Sequence, residues 1–153
     1  MPISAIKTLT LGLLAALSLQ TGAIAAELDP RAVEFQAPKD IHWVRNAAGT
    51  SEQAVLFGDP SQPGPYVVRI KWLPGQFSRP HFHGTDRFFV VVSGTWWVGT
   101  GNRFDPGSTV PMPAGSCVIH KAGGVHYDGA KGEEAIIQVS GIGPVKTTPV
   151  SSP

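Results

Sequence analysis

The chain has 153 residues, of which 42% are hydrophobic and 15% charged, and its formal net charge is +1. This length is typical of one domain with its own core, and the absence of a stripe of Lys and Arg argues against nucleic acid as a partner. The 18 glycines and 14 prolines interrupt short apolar runs, a texture that favours short strands joined by turns.

Residues 1–25 have the organisation of a secretory signal peptide. Lys7 gives a weakly positive start, residues 9–19 are almost wholly apolar, and Ala23 and Ala25 form a small-x-small cleavage site. The apolar run is short for a membrane span. We therefore expect cleavage after Ala25 and a periplasmic or secreted protein with no stable membrane insertion. The alternative is an uncleaved N-terminal anchor.

The rest of the chain is predicted to consist of short strands. Between residues 26 and 65 the signals are weak, and candidate strands lie at 41–44 and 54–57 between turn sequences. Residues 66–148 are expected to form a β-barrel. Its strands are predicted at 66–72, 77–83, 88–92, 95–98, 109–112, 117–120 and 135–139. The strands 88–92 and 95–98 are expected to form a hairpin across Ser93 and Gly94.

Two histidines, His81 and His83, are separated by one residue in a predicted strand. Residues i and i+2 of a strand point to the same face, so both imidazoles can enter one cavity. A third histidine, His126, follows a second glycine-punctuated segment. If the fold brings it to the other two, three neutral nitrogen ligands converge on one metal ion.

The first histidine segment resembles the first motif of the cupins. That motif is a glycine, five residues, His-x-His, three or four residues, a glutamate, six residues and a glycine. In this chain Gly75, His81, His83 and Gly94 are in register with it, and Arg87 occupies the glutamate position.

The second segment resembles the second cupin motif, which is a glycine, five residues, Pro-x-Gly, two residues and a histidine. Gly115, Gly123 and His126 match it, and Lys121 replaces the proline. The resemblance implies an all-β fold, a single cupin-type jelly-roll barrel after the signal peptide. It also implies that the strands carrying the two motifs lie together with the metal between them, and that the chain pairs into a homodimer.

Three imidazole ligands are consistent with several metals. We expect Fe(II) or Zn(II) first, with Ni and Cu as alternatives, and Mn is less favoured because the motif-one carboxylate is missing. Three protein ligands leave positions open for water, oxygen or substrate. Asp86 is a further candidate ligand if a bulge turns it inward, and otherwise a solvated turn residue.

Arg87 has two interpretations. Facing inward, it would hold a substrate anion between its guanidinium and the metal, and so orient the substrate. Facing outward, it would pair with a surface acid. His120 is interpreted as exposed or as a donor to a ligand, with a fourth metal ligand as the alternative. Cys117 is expected to be a buried structural thiol, with a reactive thiol or a ligand as the alternative. Four aromatic residues either wall the cavity or pack in the core: Phe77, Phe89, Trp96 and Trp97.

Two functions follow from these residues. The first is an exported metal-dependent enzyme, a dioxygenase or a related enzyme, that acts on a small anionic organic substrate. The second is a non-catalytic periplasmic module that binds a metal or small ligand, as a sensor does. A barrel with vestigial histidines and no ion is the third alternative. Since one fold supports many functions, the fold alone does not rank them.

Overall fold

The structure is a computed structural model that describes residues 26–150. The predicted signal peptide, residues 1–25, lies outside the described residues. The described residues fall into two units, residues 26–34 and residues 35–150.

The first unit, described from residue 26, contains one turn. The Asp29 carbonyl accepts hydrogen bonds from the amides of Ala32 and Val33, and the Asp29 carboxylate pairs with Arg31 at 2.9 Å. Both members of this ion pair are exposed, so it contributes little to stability. Along residues 26–150 the structure contains no helix of the length and apolarity needed to cross a membrane.

The second unit is built almost entirely from strands. In chain order they are β1 (Val44–Arg45), β2 (Ser51–Phe57), β3 (Gly64–Trp72), β4 (His81–His83), β5 (Arg87–Ser93), β6 (Thr95–Thr100), β7 (Val110–Pro113), β8 (Cys117–His120), β9 (His126–Gly129), β10 (Ala135–Gly143) and β11 (Thr147–Pro149). Single turns of 3-10 helix lie at Pro38–Asp40 and Pro106–Ser108.

These strands form two antiparallel sheets. The six-stranded sheet has the order β1-β2-β3-β10-β5-β8, and the five-stranded sheet has the order β11-β4-β9-β6-β7. Because β1 pairs with β2 and β2 pairs along β3, these two early strands belong to the same sheet as the strands that follow them. The all-β fold that the sequence predicted is confirmed.

Period-two alternation places the core between the two sheets. In β5, Phe89 and Val91 are buried whereas Phe88 and Val90 are exposed, as expected for a strand with one covered face. The inward residues of both sheets form one hydrophobic cluster: Tyr66, Val68, Trp72, Phe89, Val91, Trp96, Val98, Ala130, Ala135, Ile137 and Val139. Burial of this apolar surface is the main term that holds the sheets together.

The predicted hairpin between strands 88–92 and 95–98 is wrong. β5 pairs with β10 and β8, whereas β6 pairs with β7 and β9 in the other sheet. Gly94 lies between them with φ +69, and a Cβ there would lie 2.1 Å from the Glu134 carbonyl oxygen. The glycine therefore lets the chain pass tightly from one sheet to the other instead of folding back on itself.

Other strand predictions need correction. The strand predicted at 41–44 is limited to Val44–Arg45, and the one predicted at 77–83 is limited to His81–His83. Pro80 precedes the latter and has no amide proton to donate to a ladder. β9 and β11 were not predicted from the sequence.

Candidate metal site

Strands β4 and β9 bring the three histidines of the two motifs together. They pair antiparallel with His81 opposite His126, which confirms that the motif strands are adjacent. The ring centroids are 4.4 Å apart for His81 and His126, 5.0 Å for His81 and His83, and 5.5 Å for His83 and His126. One ring nitrogen from each residue lies within 4.8 Å of the other two, a spacing that one metal ion can bridge.

Backbone carbonyls orient all three rings in the same way. The Nδ1 atoms of His81, His83 and His126 contact the carbonyl oxygens of Arg79 at 2.7 Å, Lys146 at 3.2 Å and Gly124 at 2.9 Å, respectively. Because a carbonyl oxygen only accepts, each Nδ1 carries the proton and each Nε2 keeps its lone pair. This arrangement is typical of metal-ligating histidines, whose second nitrogen donates to a fixed acceptor.

Burial keeps the imidazoles of His83 and His126 neutral. Desolvation, followed by the charge of Arg87 and the neighbouring imidazoles, lowers the pKa of His83 to about 3. Desolvation also lowers the pKa of His126. The His126 Nε2 atom is buried with no hydrogen-bond partner in the described residues. An orphaned, neutral Nε2 is a chemically suitable metal ligand, so the residues fit the ion that the sequence implies.

Arg87 faces inward, so its interpretation as a solvated residue paired with a surface acid is wrong. It is 9% exposed, its Nε donates to the Tyr66 hydroxyl at 3.2 Å, and its Nη1 donates to His83 Nε2 at 2.7 Å. The guanidinium therefore occupies the lone pair that His83 would offer to a metal. Strand alternation explains the orientation, since Arg87, Phe89 and Val91 share the inner face of β5.

Asp86 does not join the histidines. Its carboxylate accepts a hydrogen bond from the Ala122 amide at 2.8 Å and lies 3.9 Å from Lys121 Nζ. Asp86 immediately precedes β5, and its side chain is 42% exposed. It is therefore a solvated turn residue, and its interpretation as a further metal ligand is wrong.

His120 is buried beside the three histidines, which corrects its interpretation as an exposed residue. Its ring centroid lies 3.8 Å from that of His126 and 4.5 Å from that of Phe89. Desolvation, followed by the charges of neighbouring groups, lowers the pKa of His120 to about 2. Alternation along β8 could have identified this residue, because Val118 packs against the core and His120 follows it on the same face.

Cys117 is exposed, so its expected role as a buried structural thiol is wrong. It lies on the outer face of β8, with Ile119, at one edge of the six-stranded sheet. Of the four aromatic residues, Phe89 lines the cavity and Trp96 is fully buried in the core. Trp97 instead stacks under the Lys131 ammonium at 3.7 Å.

The histidines line a cavity of about 590 Å³ between the sheets. This volume is in the range of small-molecule sites. Asp128, which the sequence reasoning missed, supplies the only carboxylate among the described lining residues. It accepts hydrogen bonds from Trp96 Nε1 and Ser78 Oγ, both at 2.9 Å. Its position two residues after His126 on β9 could have revealed it, since both side chains must share a face.

The fold is found in known structures. The chain is similar to the polyketide cyclase RemF from Streptomyces resistomycificus, with 17% identity, a TM-score of 0.60, and coverage of 74% of this chain and 84% of that chain. It is similar to a sugar phosphate isomerase of the cupin superfamily from Silicibacter pomeroyi, with 20% identity, a TM-score of 0.57, and coverage of 72% and 76%. It is also similar to an RmlC-like cupin from Shewanella frigidimarina, with 15% identity, a TM-score of 0.55, and coverage of 71% and 88%. No protein-family model and no curated protein sequence matches the chain. At these identities the likeness establishes the fold, and the predicted cupin jelly roll is confirmed.

Proposed function

We propose that this cupin-fold protein binds one divalent transition metal ion through the Nε2 atoms of His81, His83 and His126 and acts as an exported metal-dependent enzyme on a small anionic organic substrate. The observation that carries the proposal is the common orientation of the three rings. Each Nδ1 is engaged by a backbone carbonyl, and one ring nitrogen of each histidine lies within 4.8 Å of the other two. Three independent backbone contacts that produce this convergence are the expected signature of a site built for an ion.

The donor set favours Fe(II) or Zn(II), with Ni or Cu as alternatives. It disfavours Mn because no carboxylate from residues 26–150 joins the histidines. A bound ion would supply Lewis-acid polarisation of a substrate group. Dioxygen chemistry is the first reaction to test, since an all-nitrogen set of three ligands leaves coordination positions open.

The charge of Arg87 defines the substrate class. A buried guanidinium next to a divalent cation is stable only if an anion lies between them. A substrate carboxylate that accepts from Arg87 Nη1 would draw this donor away from His83 and release the His83 Nε2 lone pair for the metal. Tyr66 would keep the guanidinium in place through its contact with Arg87 Nε. Arg87 therefore orients the substrate.

Two structural neighbours support an enzymatic role, because they are named as a polyketide cyclase and a sugar phosphate isomerase. One observation favours the alternative, a non-catalytic binding or sensing module. Asp128, the only carboxylate lining the described cavity, already accepts hydrogen bonds from Trp96 and Ser78. Such a carboxylate is poorly placed to exchange protons with a substrate.

Elemental analysis of protein purified from its natural compartment tests the proposal. We expect close to one iron or zinc ion per chain and an N-terminus at Ala26. His126→Ala should lose the ion but keep a folded barrel, whereas the exposed His42 provides the matched control His42→Ala, which should retain the ion. Undiminished loading of His126→Ala contradicts the metal site.

Oxygen consumption separates the enzyme from the binding module. Ferrous protein should consume oxygen when small carboxylates or diketones are added, and His126→Ala should not. Full metal loading without any turnover across the panel would favour the non-catalytic alternative.

A further inference from the structure

His120 has an unusual position for a buried polar residue. Both of its ring nitrogens are buried with no hydrogen-bond partner in the described residues, and the residue is 7% exposed. A buried polar group without a partner costs free energy, so native structures rarely leave one unexplained. The orphaned Nε2 of His126 is explained by the proposed metal. The nitrogens of His120 need another explanation, since His120 is not in the group of ligand atoms that can share one ion.

The sheet register places His120 beside the proposed anion site. On the paired strands β5 and β8, Arg87 lies directly opposite His120, and both side chains are buried and line the same cavity. Directly opposed side chains have Cβ atoms about 5 Å apart. A small molecule whose anionic group contacts Arg87 therefore has its next few atoms within reach of His120.

The rings that surround His120 have their polar atoms engaged elsewhere. The nearest is His126, with 3.8 Å between ring centroids. Its Nδ1 donates to the Gly124 carbonyl, and its Nε2 is assigned to the proposed metal. The ring packs against Phe89 at 4.5 Å and Trp96 at 5.3 Å between centroids. The Trp96 indole N–H is already donated to Asp128. A neutral imidazole presents one donor and one acceptor, and no described residue bonds to either, so both can be offered to an occupant of the cavity.

We propose that His120 is a specificity-determining residue that reads a hydroxyl or carbonyl group adjacent to the anionic group held by Arg87. The substrate class is then a small hydroxy or keto acid, not a plain carboxylic acid. This inference rests on the proposed function, because it assumes that the cavity holds an anionic organic molecule at Arg87. It deepens that function by assigning the second recognition point.

The test compares two acids that differ by one hydroxyl group, lactate and propionate. Their affinities are measured by calorimetry for zinc-loaded and metal-free wild-type protein and for His120→Phe and His120→Gln. We expect the wild-type protein to prefer lactate by about threefold to tenfold, the range of one hydrogen bond to a buried partner. His120→Phe should lose this preference and His120→Gln should keep part of it, while both variants retain zinc.

The matched acids separate recognition from a purely structural role, because general loosening of the barrel would weaken both acids equally. Persistence of the lactate preference in His120→Phe would show that the metal reads the hydroxyl, and this overturns the inference. Loss of zinc from His120→Phe also overturns it, since His120 would then be a metal ligand. If wild-type protein takes up no metal, the proposed function fails. The ratio of lactate affinity to propionate affinity, measured on the metal-free protein, still tests the role of His120. Equal affinity for the two acids, or none for either, counts against it.

Discussion

Arg87 and His83 share a hydrogen bond that competes directly with metal binding. The donor is Arg87 Nη1, the acceptor is His83 Nε2, and the two atoms are 2.7 Å apart. A metal ion at His83 Nε2 and this hydrogen bond need the same lone pair, so only one can be present. The resemblance to cupins places a glutamate at this position, and the arginine therefore exchanges a potential anionic ligand for a cation.

Arg87→Glu is expected to bind Zn²⁺ on the order of a hundredfold more tightly than the wild-type protein, because it removes the competing donor and the nearby positive charge and adds a carboxylate. Arg87→Gln removes the charge without adding a ligand and should fall between the two. The measurement is a competition titration with a chromophoric chelator at neutral pH. Tighter binding by the wild-type protein than by Arg87→Glu would show that the arginine does not oppose the metal.

At the scale of the elements, alanine substitutions of two motif glycines are expected to lower the free energy of unfolding by different amounts. Gly94 and Gly115 both have positive φ, +69 and +89, but a Cβ at Gly94 would meet the Glu134 carbonyl oxygen at 2.1 Å, whereas a Cβ at Gly115 meets nothing within 4 Å. Gly115→Ala should lower the free energy of unfolding by about 1 kcal/mol through backbone strain alone. Gly94→Ala should lower it by about 3 kcal/mol or more, since the backbone of the sheet crossing must also move.

Urea unfolding of both variants measures this difference. Equal destabilisation of Gly94→Ala and Gly115→Ala would mean that the crossing from β5 to β6 relaxes easily. In that case a glycine is needed at residue 94 only because of its positive φ, and not because of the close approach of Glu134.

The strands with strong alternation, such as 66–72 and 88–92, were predicted from the sequence. In a half-buried strand the buried and exposed positions alternate, and the residue types follow that alternation. It could not predict which strands pair. The segment from residue 88 to residue 98 has the local pattern of a hairpin, yet β6 belongs to the other sheet, and the crossing at Gly94 lies close to the Glu134 backbone. That contact joins residues distant in sequence and leaves no local signal.

The candidate site, like the fold, was predicted from the sequence only in part. The convergence of His81, His83 and His126 was expected from the resemblance to cupins, and the structure brings the three rings together. β9 was missed as a strand because it has only four residues, the last of which is Gly129, and with it Asp128 was missed. The roles of Arg87 and His120 depend on the register between β5 and β8, which sequence alone does not fix.

At the scale of the whole molecule, the buried neutral histidines predict acid sensitivity of the metal-free protein. The ordinary histidine pKa of 6.5 is lowered to about 3 in His83 and to about 2 in His120. As the pH falls from 6.5 toward 3, the unfolded chain takes up protons at these rings and the folded chain does not. The stability that is present above pH 6.5 is therefore lost on acidification, by up to about 1.4 kcal/mol per pH unit for each such histidine.

His120→Phe isolates one of these contributions. Phenylalanine fills a similar volume beside Phe89 and Trp96 and binds no proton, so the variant should lose stability less steeply between pH 6.5 and pH 3, by up to about 1.4 kcal/mol per pH unit. Urea midpoints of chelator-treated protein across this range give the slopes, and the difference between variant and wild type cancels the contribution of the carboxylates. His42→Ala changes an exposed ring and should leave the slope unchanged. An identical slope in His120→Phe and the wild-type protein would mean that water reaches His120 in the folded state, and that the cavity solvates this imidazole.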